Sequence, residues 1–481
     1  MVDIKNLTIG ERAVFSKLFQ CLKNNNALNM IFKYLCKNKD ITESAESFFS
    51  LALAGPDNYD LNHNLSYNSQ SSFKDCRFKS MKVRNFRGIG YGMDEESYIG
   101  VDFRAKDSQG VASMIILGSN GTGKTSLFSA IECGFTDSVS IARKRGFDLS
   151  QVADKFIRNI FISNKNTSSI HIDTNEGVYV WPSANTPMYD LGISAKAFFC
   201  SDALIEIFER EPEQSIEDYI FEQLGLKRVL LLSKLISNCR TELESALRAK
   251  VDGKTDVKII DELKDNTAEF IDNLFNEFNL IHKELTRQIY EQRQSINSEI
   301  NDILTELLDE INFWDGMDVA FKELFPDSKI LTGLNTKFTP RMYFNDFRFK
   351  IFLNSISVAI AFSYMRKYSL CFPLVFDDVF NVSDFLNRST HVRQYINKVF
   401  EIYQKKLDGY QPLQLILFTQ DEVVANAAYK GVIDANRFCN SDIKVSLCKM
   451  FYRKYMNETD VISLNTDVSV YKQYDVLRKN F

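Results

Sequence analysis

Residues 118–125, Gly-Ser-Asn-Gly-Thr-Gly-Lys-Thr, match the pattern G-x-x-x-x-G-K-[ST] of a phosphate-binding loop. Such a loop needs glycines because its backbone must pass close to the phosphates with its N–H groups turned inward. Lys124 would bring an ammonium group to the β- and γ-phosphates, and Thr125 would offer its hydroxyl to Mg²⁺. An apolar segment precedes the loop and a helical segment follows it, so the phosphates would face a helix N-terminus. The predicted ATP-binding residues are Asn120, Gly121, Thr122, Gly123, Lys124, Thr125 and Ser126.

A second, acidic segment fits the same chemistry. Residues 372–378 read Phe-Pro-Leu-Val-Phe-Asp-Asp, an apolar strand that ends in two carboxylates. A phosphate loop of this kind needs a carboxylate from another strand to hold the metal. Asp377 is therefore the predicted Mg²⁺ ligand together with Thr125, and Asp378 is the predicted general base for the attacking water. Taken alone, the segment could also be a strand that ends in a solvated acidic turn.

The elements that must position these residues are short apolar segments bounded by turn residues. Segments of this kind are typical of strands in a covered sheet. They are expected to form a sheet whose faces are covered by other parts of the chain. The predicted strands are 78–85, 98–103, 113–117, 170–173, 178–181, 197–200, 374–376 and 415–419.

Two further parts of the chain have helical periodicity. Apolar residues recur about every 3.6 residues between 10 and 52, and the polar stretch 55–74 predicts a loop or linker. Between 227 and 313, two apolar stripes are separated by the turn signal Asp252-Gly253. The simplest interpretation is an antiparallel helical hairpin whose longer returning arm breaks or packs onto the globular part. A plain helical bundle is the alternative. The first stripe is Leu232, Ile236, Cys239, Leu243 and Ala246.

Composition limits the class of protein. The chain has 481 residues, a net charge of −5, 45% hydrophobic residues and 25% charged residues. These values indicate a globular chain of about three domains and exclude a disordered chain or a histone-like DNA coat. Nine cysteines at wide spacing predict reduced thiols rather than a disulfide frame or a zinc site. The sequence has no signal-peptide pattern and no long apolar run, so we expect a cytoplasmic protein with no membrane association.

The two phosphate-site motifs lie about 250 residues apart, with the helical segment between them. This arrangement resembles the SMC-like branch of the ABC ATPases, which includes RecF and RecN. Residues 82–88 (KVRNFRG) look like the opening strand of that family, and 117–132 (LGSNGTGKTSLFSAIE) like its phosphate loop and following helix. Residues 374–388 (LVFDDVFNVSDFLNR) look like its acidic strand and D-loop, with Asp384 as the D-loop carboxylate. Residues 414–420 (QLILFTQ) look like the next core strand.

The resemblance implies an α/β fold, an ABC-type ATPase head in which a mixed sheet is flanked by helices. It also implies that this head forms a homodimer, or a higher homo-oligomer, around ATP. It divides the chain into an N-terminal helical extension (1–75), a first ATPase lobe (76–226), an inserted short helical hairpin (227–313) and a second ATPase lobe (314–481). In the dimer, the phosphate loop of one subunit would face the signature segment of the other.

Several positions depart from the family pattern. Where the family has Leu-Ser-Gly-Gly at the start of a helix, residues 353–357 read Leu-Asn-Ser-Ile-Ser, so that Asn354 and Ser355 would replace the usual contacts to the partner's γ-phosphate. Gln420 stands in place of the switch histidine; it can hydrogen-bond a phosphate or water but cannot become cationic. Asp378 replaces the usual catalytic glutamate and is one methylene shorter. Together these departures predict slow hydrolysis, or ATP used mainly as a clamp.

A narrower resemblance concerns the PtuA-type ATPases of bacterial anti-phage systems, Septu and retron-linked defence. The short hairpin, the Asp-Asp ending and residues 216–226 (IEDYIFEQLGL) carry it. It implies an HNH-type nuclease as partner and, in the retron version, a reverse transcriptase with its RNA–DNA product.

Two alternatives stay open. A RecF- or RecN-like DNA-repair ATPase would bind nucleic acid directly, and the basic cluster 143–145 with Lys155 and Arg158 could contact phosphates. A solvated charged face is the other interpretation of that cluster. A catalytically idle scaffold would keep the ATPase fold for assembly alone.

Overall fold

The computed structural model divides into two units. Unit 1 comprises Met1–Gln70, Leu191–Ser194 and Leu224–Ile296, and unit 2 comprises Ser71–Asp190, Ala195–Gln223 and Asn297–Phe481. The four-part division expected from the sequence stays a prediction. The structure describes residues 9–22, 25–37, 41–53, 73–90, 98–105, 110–136, 139–140, 157, 168–182, 198–201, 221, 224–252, 260–310, 319–323, 329–332, 337–338, 346–380, 388–439, 443–453 and 458–463.

A six-stranded sheet of order β15-β14-β4-β13-β12-β7 forms the centre of unit 2. Five of its strands run parallel, and only β15 runs antiparallel to its neighbour β14. Every residue of β4, β12 and β13 is buried, which explains why these segments are continuous apolar runs. The strands are β4 (Ser113–Gly118), β7 (Phe199–Ser201), β12 (Leu374–Asp377), β13 (Leu415–Thr419), β14 (Val445–Arg453) and β15 (Glu458–Ser463).

A second, antiparallel sheet has the order β3-β2-β5-β6. One face of this sheet is buried and the other is exposed, as the alternation of burial along its strands shows. An aromatic cluster joins it to the central sheet: Phe78 stacks on Phe135 at 5.1 Å, and Phe135 meets Phe372 edge-on at 4.9 Å. The strands are β2 (Phe78–Arg84), β3 (Ile99–Asp102), β5 (Ser169–Thr174) and β6 (Val178–Trp181).

Four helices lie wholly within the described part of unit 2, together with a parallel pair of two-residue strands, β1 and β11, and a three-stranded antiparallel sheet of order β10-β9-β8. The helices are α4 (Lys124–Thr136), α8 (Asp346–Tyr368), α9 (Arg388–Lys406) and α10 (Glu422–Cys439). The remaining strands are β1 (Lys74–Asp75), β8 (Val319–Glu323), β9 (Lys329–Thr332), β10 (Lys337–Phe338) and β11 (Leu370–Cys371). Parallel and antiparallel strands flanked by helices confirm the predicted mixed α/β class.

Unit 1 is helical. It contains α1 (Ile9–Cys21), α2 (Asn26–Lys37), α3 (Ala45–Leu53), α5 (Lys227–Asp252), α6 (Asp261–Lys264) and most of α7 (Ala268–Glu310). All five residues of the first predicted apolar stripe on α5 are buried. The returning arm does not break: α7 is one helix of 43 residues. Its last turns belong to unit 2, where Glu299 accepts a hydrogen bond from Ser363 at 2.8 Å and Glu306 lies 3.2 Å from Lys405.

Candidate nucleotide-binding site

The predicted site residues meet at one edge of the central sheet, where its parallel strands end. The phosphate loop follows β4, Gln420 follows β13, and Asp377 ends β12. Strand β13 lies between the other two, with Phe418 in register with both Ile116 and Asp377. Since neighbouring strands lie about 4.8 Å apart, the Asp377 backbone is about 10 Å from that of Ile116, just before the loop. The carboxyl ends of parallel strands are the usual place for a ligand in such sheets.

The backbone of the loop has the form that a phosphate cradle needs. Gly121 and Gly123 have φ values of 83° and 99°, a region that residues with a Cβ rarely occupy. Thr122 donates from both its backbone N–H (3.3 Å) and its hydroxyl (2.9 Å) to the Ser119 carbonyl, which closes the turn. Helix α4 then begins at Lys124, so its unsatisfied N–H groups and positive dipole end lie at the loop.

Lys124 is buried and held within its own loop. Its ammonium donates to the carbonyl oxygens of Gly118 at 2.6 Å and Ser119 at 3.1 Å. Burial lowers the pKa of Lys124, and the negative charges of Asp378 and Asp377 act in the opposite direction. The structure thus brings the predicted phosphate-binding cation within electrostatic reach of both predicted carboxylates, which are more than 250 positions later in the chain.

The two carboxylates at the end of β12 have different surroundings. Asp377 is 6% exposed and continues the strand. Asp378 has left the strand with a φ of 58°, and its N–H donates to the Phe418 carbonyl at 3.0 Å. Its Oδ1 accepts the backbone N–H of Gln420 at 3.4 Å. Backbone held in a sparsely populated conformation by neighbouring strands is a frequent feature of catalytic positions.

The other predicted ligands of this edge have the exposure that a ligand site requires. Asn120 and Gly121 are exposed at the tip of the loop, while Thr125 and Ser126 are half-buried in the first turn of α4. The side chain of Gln420 is exposed, and its backbone rather than its amide contacts Asp378. Ser201, the last residue of β7, is buried and in register with Asp377.

The expected signature segment lies elsewhere than at a helix start. Asn354 and Ser355 are two turns inside α8 and are 2% and 0% exposed. The Ser355 hydroxyl donates to the Tyr395 hydroxyl at 3.2 Å, and the Asn354 Nδ2 has no hydrogen-bond partner among the described residues. The helix runs without a break from Asp346 to Tyr368, and no Gly or Pro interrupts the sequence over this range.

Some predictions fall outside the described residues. They concern Asp384 and the basic cluster 143–145 with Lys155 and Arg158. Within the described part of the chain, no group of three or more His, Cys, Asp and Glu residues could hold a metal ion, and no helix is long and apolar enough to span a membrane.

Sequence reasoning missed two residues beside the site. Asp421 follows Gln420 and accepts the backbone N–H of Val423 at 2.7 Å, and it also forms an ion pair with Arg388. An aspartate directly before a helical segment is an N-cap signal, so the sequence could have indicated the first contact but not the second.

Among known proteins, similarity was found only with solved structures. No family model matches the sequence. No curated protein matches it either.

The similar structures include Smc head domains and RecF. The Smc head domain with an extended coiled coil, bound to the C-terminal domain of ScpA, from Pyrococcus furiosus is 12% identical over 84% of this chain and 99% of its own, with a TM-score of 0.37. The recombination mediator protein RecF with ATP, of the RecFOR pathway, is 13% identical over 82% and 99%, with a TM-score of 0.43. The Smc head domain with a coiled coil and joint from Pyrococcus yayanosii is 12% identical over 83% and 99%, with a TM-score of 0.39. At these values the likenesses assign no function, and the case for one rests on the residues of the site.

Proposed function

We propose that this protein binds ATP with Mg²⁺ at the end of β4 and hydrolyses it slowly. One observation supports this proposal. The phosphate loop, whose shape depends on Gly121 and Gly123, lies at the same edge of the parallel strands as Lys124, Asp377 and Asp378. Inward-facing N–H groups, a helix N-terminus and an ammonium group together favour a polyanion.

Mg²⁺ fits the donors at this edge. It prefers oxygen ligands and takes one or two carboxylates plus phosphate oxygens. The Thr125 hydroxyl at the start of α4 and the Asp377 carboxylate at the end of β12 are the residues that would hold it. When bound, the ion supplies positive charge to the phosphate oxygens.

Hydrolysis would depend on the residues next to that ion. Asp378 is the candidate general base, because its carboxylate lies beside the metal ligand and is held by the Gln420 N–H. Three features support slow turnover. The side chain of Asp378 is one methylene shorter than the glutamate usual in the family, position 420 is not a histidine, and Ser355 is buried.

The resemblance to SMC-like and PtuA-type ATPases extends the proposal to the level of the assembly. We infer a homodimer, or a higher homo-oligomer, that closes around ATP and thereby controls a partner HNH-type nuclease in anti-phage defence. A retron version would add a reverse transcriptase with its RNA–DNA product. Asp384 is the proposed contact to the second subunit's nucleotide.

The test is ATP binding by the wild-type protein, Lys124→Ala and the control Lys430→Ala, which removes an exposed lysine of α10. Isothermal titration calorimetry with Mg-ATP should show binding by the wild type and the control. Lys124→Ala should lose up to about 100-fold in affinity, because about 1.4 kcal/mol corresponds to each tenfold and a charged hydrogen bond contributes up to about 3 kcal/mol.

The assembly is tested with the same three proteins. Light scattering during size-exclusion chromatography should show ATP-dependent self-association of the wild type and the control, and none of Lys124→Ala. Equal calorimetric traces for the wild type and Lys124→Ala would contradict the proposed nucleotide site. Self-association that does not depend on ATP would contradict only the proposed dimer that closes around ATP.

A further inference from the structure

Asp421 fixes the start of the helix that follows Gln420. Its Oδ1 accepts the backbone N–H groups of Val423 at 2.7 Å and Val424 at 3.4 Å, so it is the N-cap of α10. Its own N–H donates to the Thr419 hydroxyl at 3.1 Å. Gln420 therefore lies between Thr419 and Asp421, which are joined by a hydrogen bond, and Asp421 is in turn hydrogen-bonded to the start of α10.

The second oxygen of Asp421 makes a different bond. Oδ2 accepts from the guanidinium of Arg388, the first residue of α9. The two side chains are only 17% and 19% exposed, so the pair is screened less by solvent than a surface pair. A cation in the first turn of a helix opposes the helix dipole. Arg388 is thus poorly placed to stabilise α9, and its bond to Asp421 accounts for its position.

Both bonds converge on one dipeptide. The Asp378 carboxylate accepts the N–H of Gln420, and Arg388 binds Asp421. Asp378 and Arg388 are therefore bound to two consecutive residues, Gln420 and Asp421. A change in the ion pair would shift Gln420 relative to Asp378.

We propose that Asp421 and Arg388 are positioning residues for ATP hydrolysis, which hold Gln420 and Asp378 in their mutual geometry without touching the nucleotide. This inference rests on the proposed function. Neither residue belongs to the phosphate loop, so the pair should affect the rate of the chemical step and leave binding of the nucleotide unchanged.

The experiment uses Asp421→Asn and Arg388→Gln in the full chain. Asparagine is as good an N-cap as aspartate, so Asp421→Asn keeps the cap of α10 and removes the charge. Each variant should lower kcat for ATP by about 10- to 100-fold, the effect of a small misplacement of catalytic groups. The Kd for ATP should stay at its wild-type value, and both variants should remain folded, with a melting temperature lowered by the loss of the ion pair. The double variant should lose no more than either single variant, because both remove the same contact.

A matched control is present on the same two helices. Arg393 of α9 binds Asp434 of α10, farther from the strand ends, and Arg393→Gln should leave kcat unchanged. The inference is overturned if Asp421→Asn and Arg388→Gln turn over ATP at the wild-type rate, or if Arg393→Gln loses as much as they do. A wild-type protein that binds ATP but releases no more phosphate than Lys124→Ala would overturn the hydrolysis part of the proposed function and this inference with it.

Discussion

At the scale of the residue, the charge balance around Lys124 connects folding with ligand binding. Its ammonium donates hydrogen bonds to two carbonyl oxygens of its own loop, and the negative charges of Asp378 and Asp377 stabilise its charged form. When a triphosphate binds, its oxygens would replace the two carbonyl oxygens as hydrogen-bond acceptors of Lys124. The positive charge of Lys124 would then compensate negative charge on the phosphates as well as on the carboxylates. Removal of Lys124 therefore takes away a ligand for phosphate and also the positive charge that acts on the two carboxylates, so the affinity for ATP should fall steeply.

The affinity for ATP should fall with rising pH, starting below the range in which ordinary lysines titrate. Burial lowers the pKa of Lys124 from its ordinary value of about 10.5. Anionic phosphates favour the charged form and raise the pKa again, so binding takes up a proton once the pH exceeds the pKa of the free protein. In that range the Kd should rise by up to about tenfold per pH unit. Titration calorimetry between about pH 8 and pH 10 measures this, because phosphate groups with a pKa of about 6 are already fully ionised there.

Lys124→Arg is the control for this pH dependence. A guanidinium keeps its charge throughout the range, so the affinity of this variant, whatever its absolute value, should stay level. Equal slopes for the wild type and Lys124→Arg would show that another group, and not the Lys124 ammonium, controls the pH dependence.

At the scale of the element, the sequence predicts best where burial alone determines the residue types. Strands β4, β12 and β13 were predicted because all of their residues are buried and therefore apolar. Strand β14 was missed because Lys449 interrupts its apolar residues and its half-buried positions follow no simple alternation. The order of the strands depends on contacts between distant segments. The central place of β13, which puts Gln420 beside Asp378, therefore required the structure.

The start of α8 illustrates the opposite case, in which a family pattern gave the wrong boundary. Residues 353–357 were expected at a helix start, yet the helix begins at Asp346. The stretch ahead of Leu353 contains no Gly or Pro, and its residues Phe349, Ile351 and Phe352 are buried, so packing of these side chains accompanies the earlier start.

The buried side-chain amide of Gln414 joins the six-stranded central sheet to the antiparallel sheet β3-β2-β5-β6. The Gln414 side chain accepts the N–H of Phe78 at 2.8 Å and donates to the carbonyl oxygens of Phe78 and Ala112, both at 3.0 Å. Gln414→Leu would leave one N–H and two carbonyl groups buried without partners, and we expect a loss of about 3 kcal/mol in the free energy of unfolding. Urea unfolding followed by tryptophan fluorescence, to which Trp181 of β6 contributes, measures this loss.

Gln411→Leu is the control for this joint. Gln411 is exposed, and its amide accepts only a 3.2 Å hydrogen bond from Arg77, so its replacement should change the free energy of unfolding by less than about 0.5 kcal/mol. If the two variants unfold at the same urea concentration, the Gln414 amide is not a structural joint.

At the scale of the whole molecule, the two units are stabilised by different kinds of contact. Unit 2 is built on sheets with an aromatic cluster, whereas unit 1 is built on helices whose ends are capped from neighbouring helices. Glu11 of α1 accepts the backbone N–H of Arg228 in the first turn of α5 at 3.1 Å. Glu277 of α7 accepts the N–H of Ala27 at 2.8 Å and the Asn26 amide at 3.2 Å, both at the start of α2. Carboxylates at helix N-termini satisfy free N–H groups and the helix dipole.

Because these caps lie within unit 1, damage to one of them should be local. Glu277→Ala removes the acceptor at the start of α2, and loss of a cap costs about 1 kcal/mol, so hydrogen exchange in α2 should become roughly fivefold faster. Exchange in α4 and the affinity for ATP should not change, because the phosphate loop belongs to unit 2. The control Glu291→Gln lies on the same helix and removes only exposed ion pairs with Lys17 and Arg287, which contribute little to stability. Hydrogen exchange measured by mass spectrometry on peptides of α2 and α4 distinguishes the outcomes. Faster exchange in both helices of Glu277→Ala would mean that the two units unfold as one cooperative body, and the separate response expected here would be wrong.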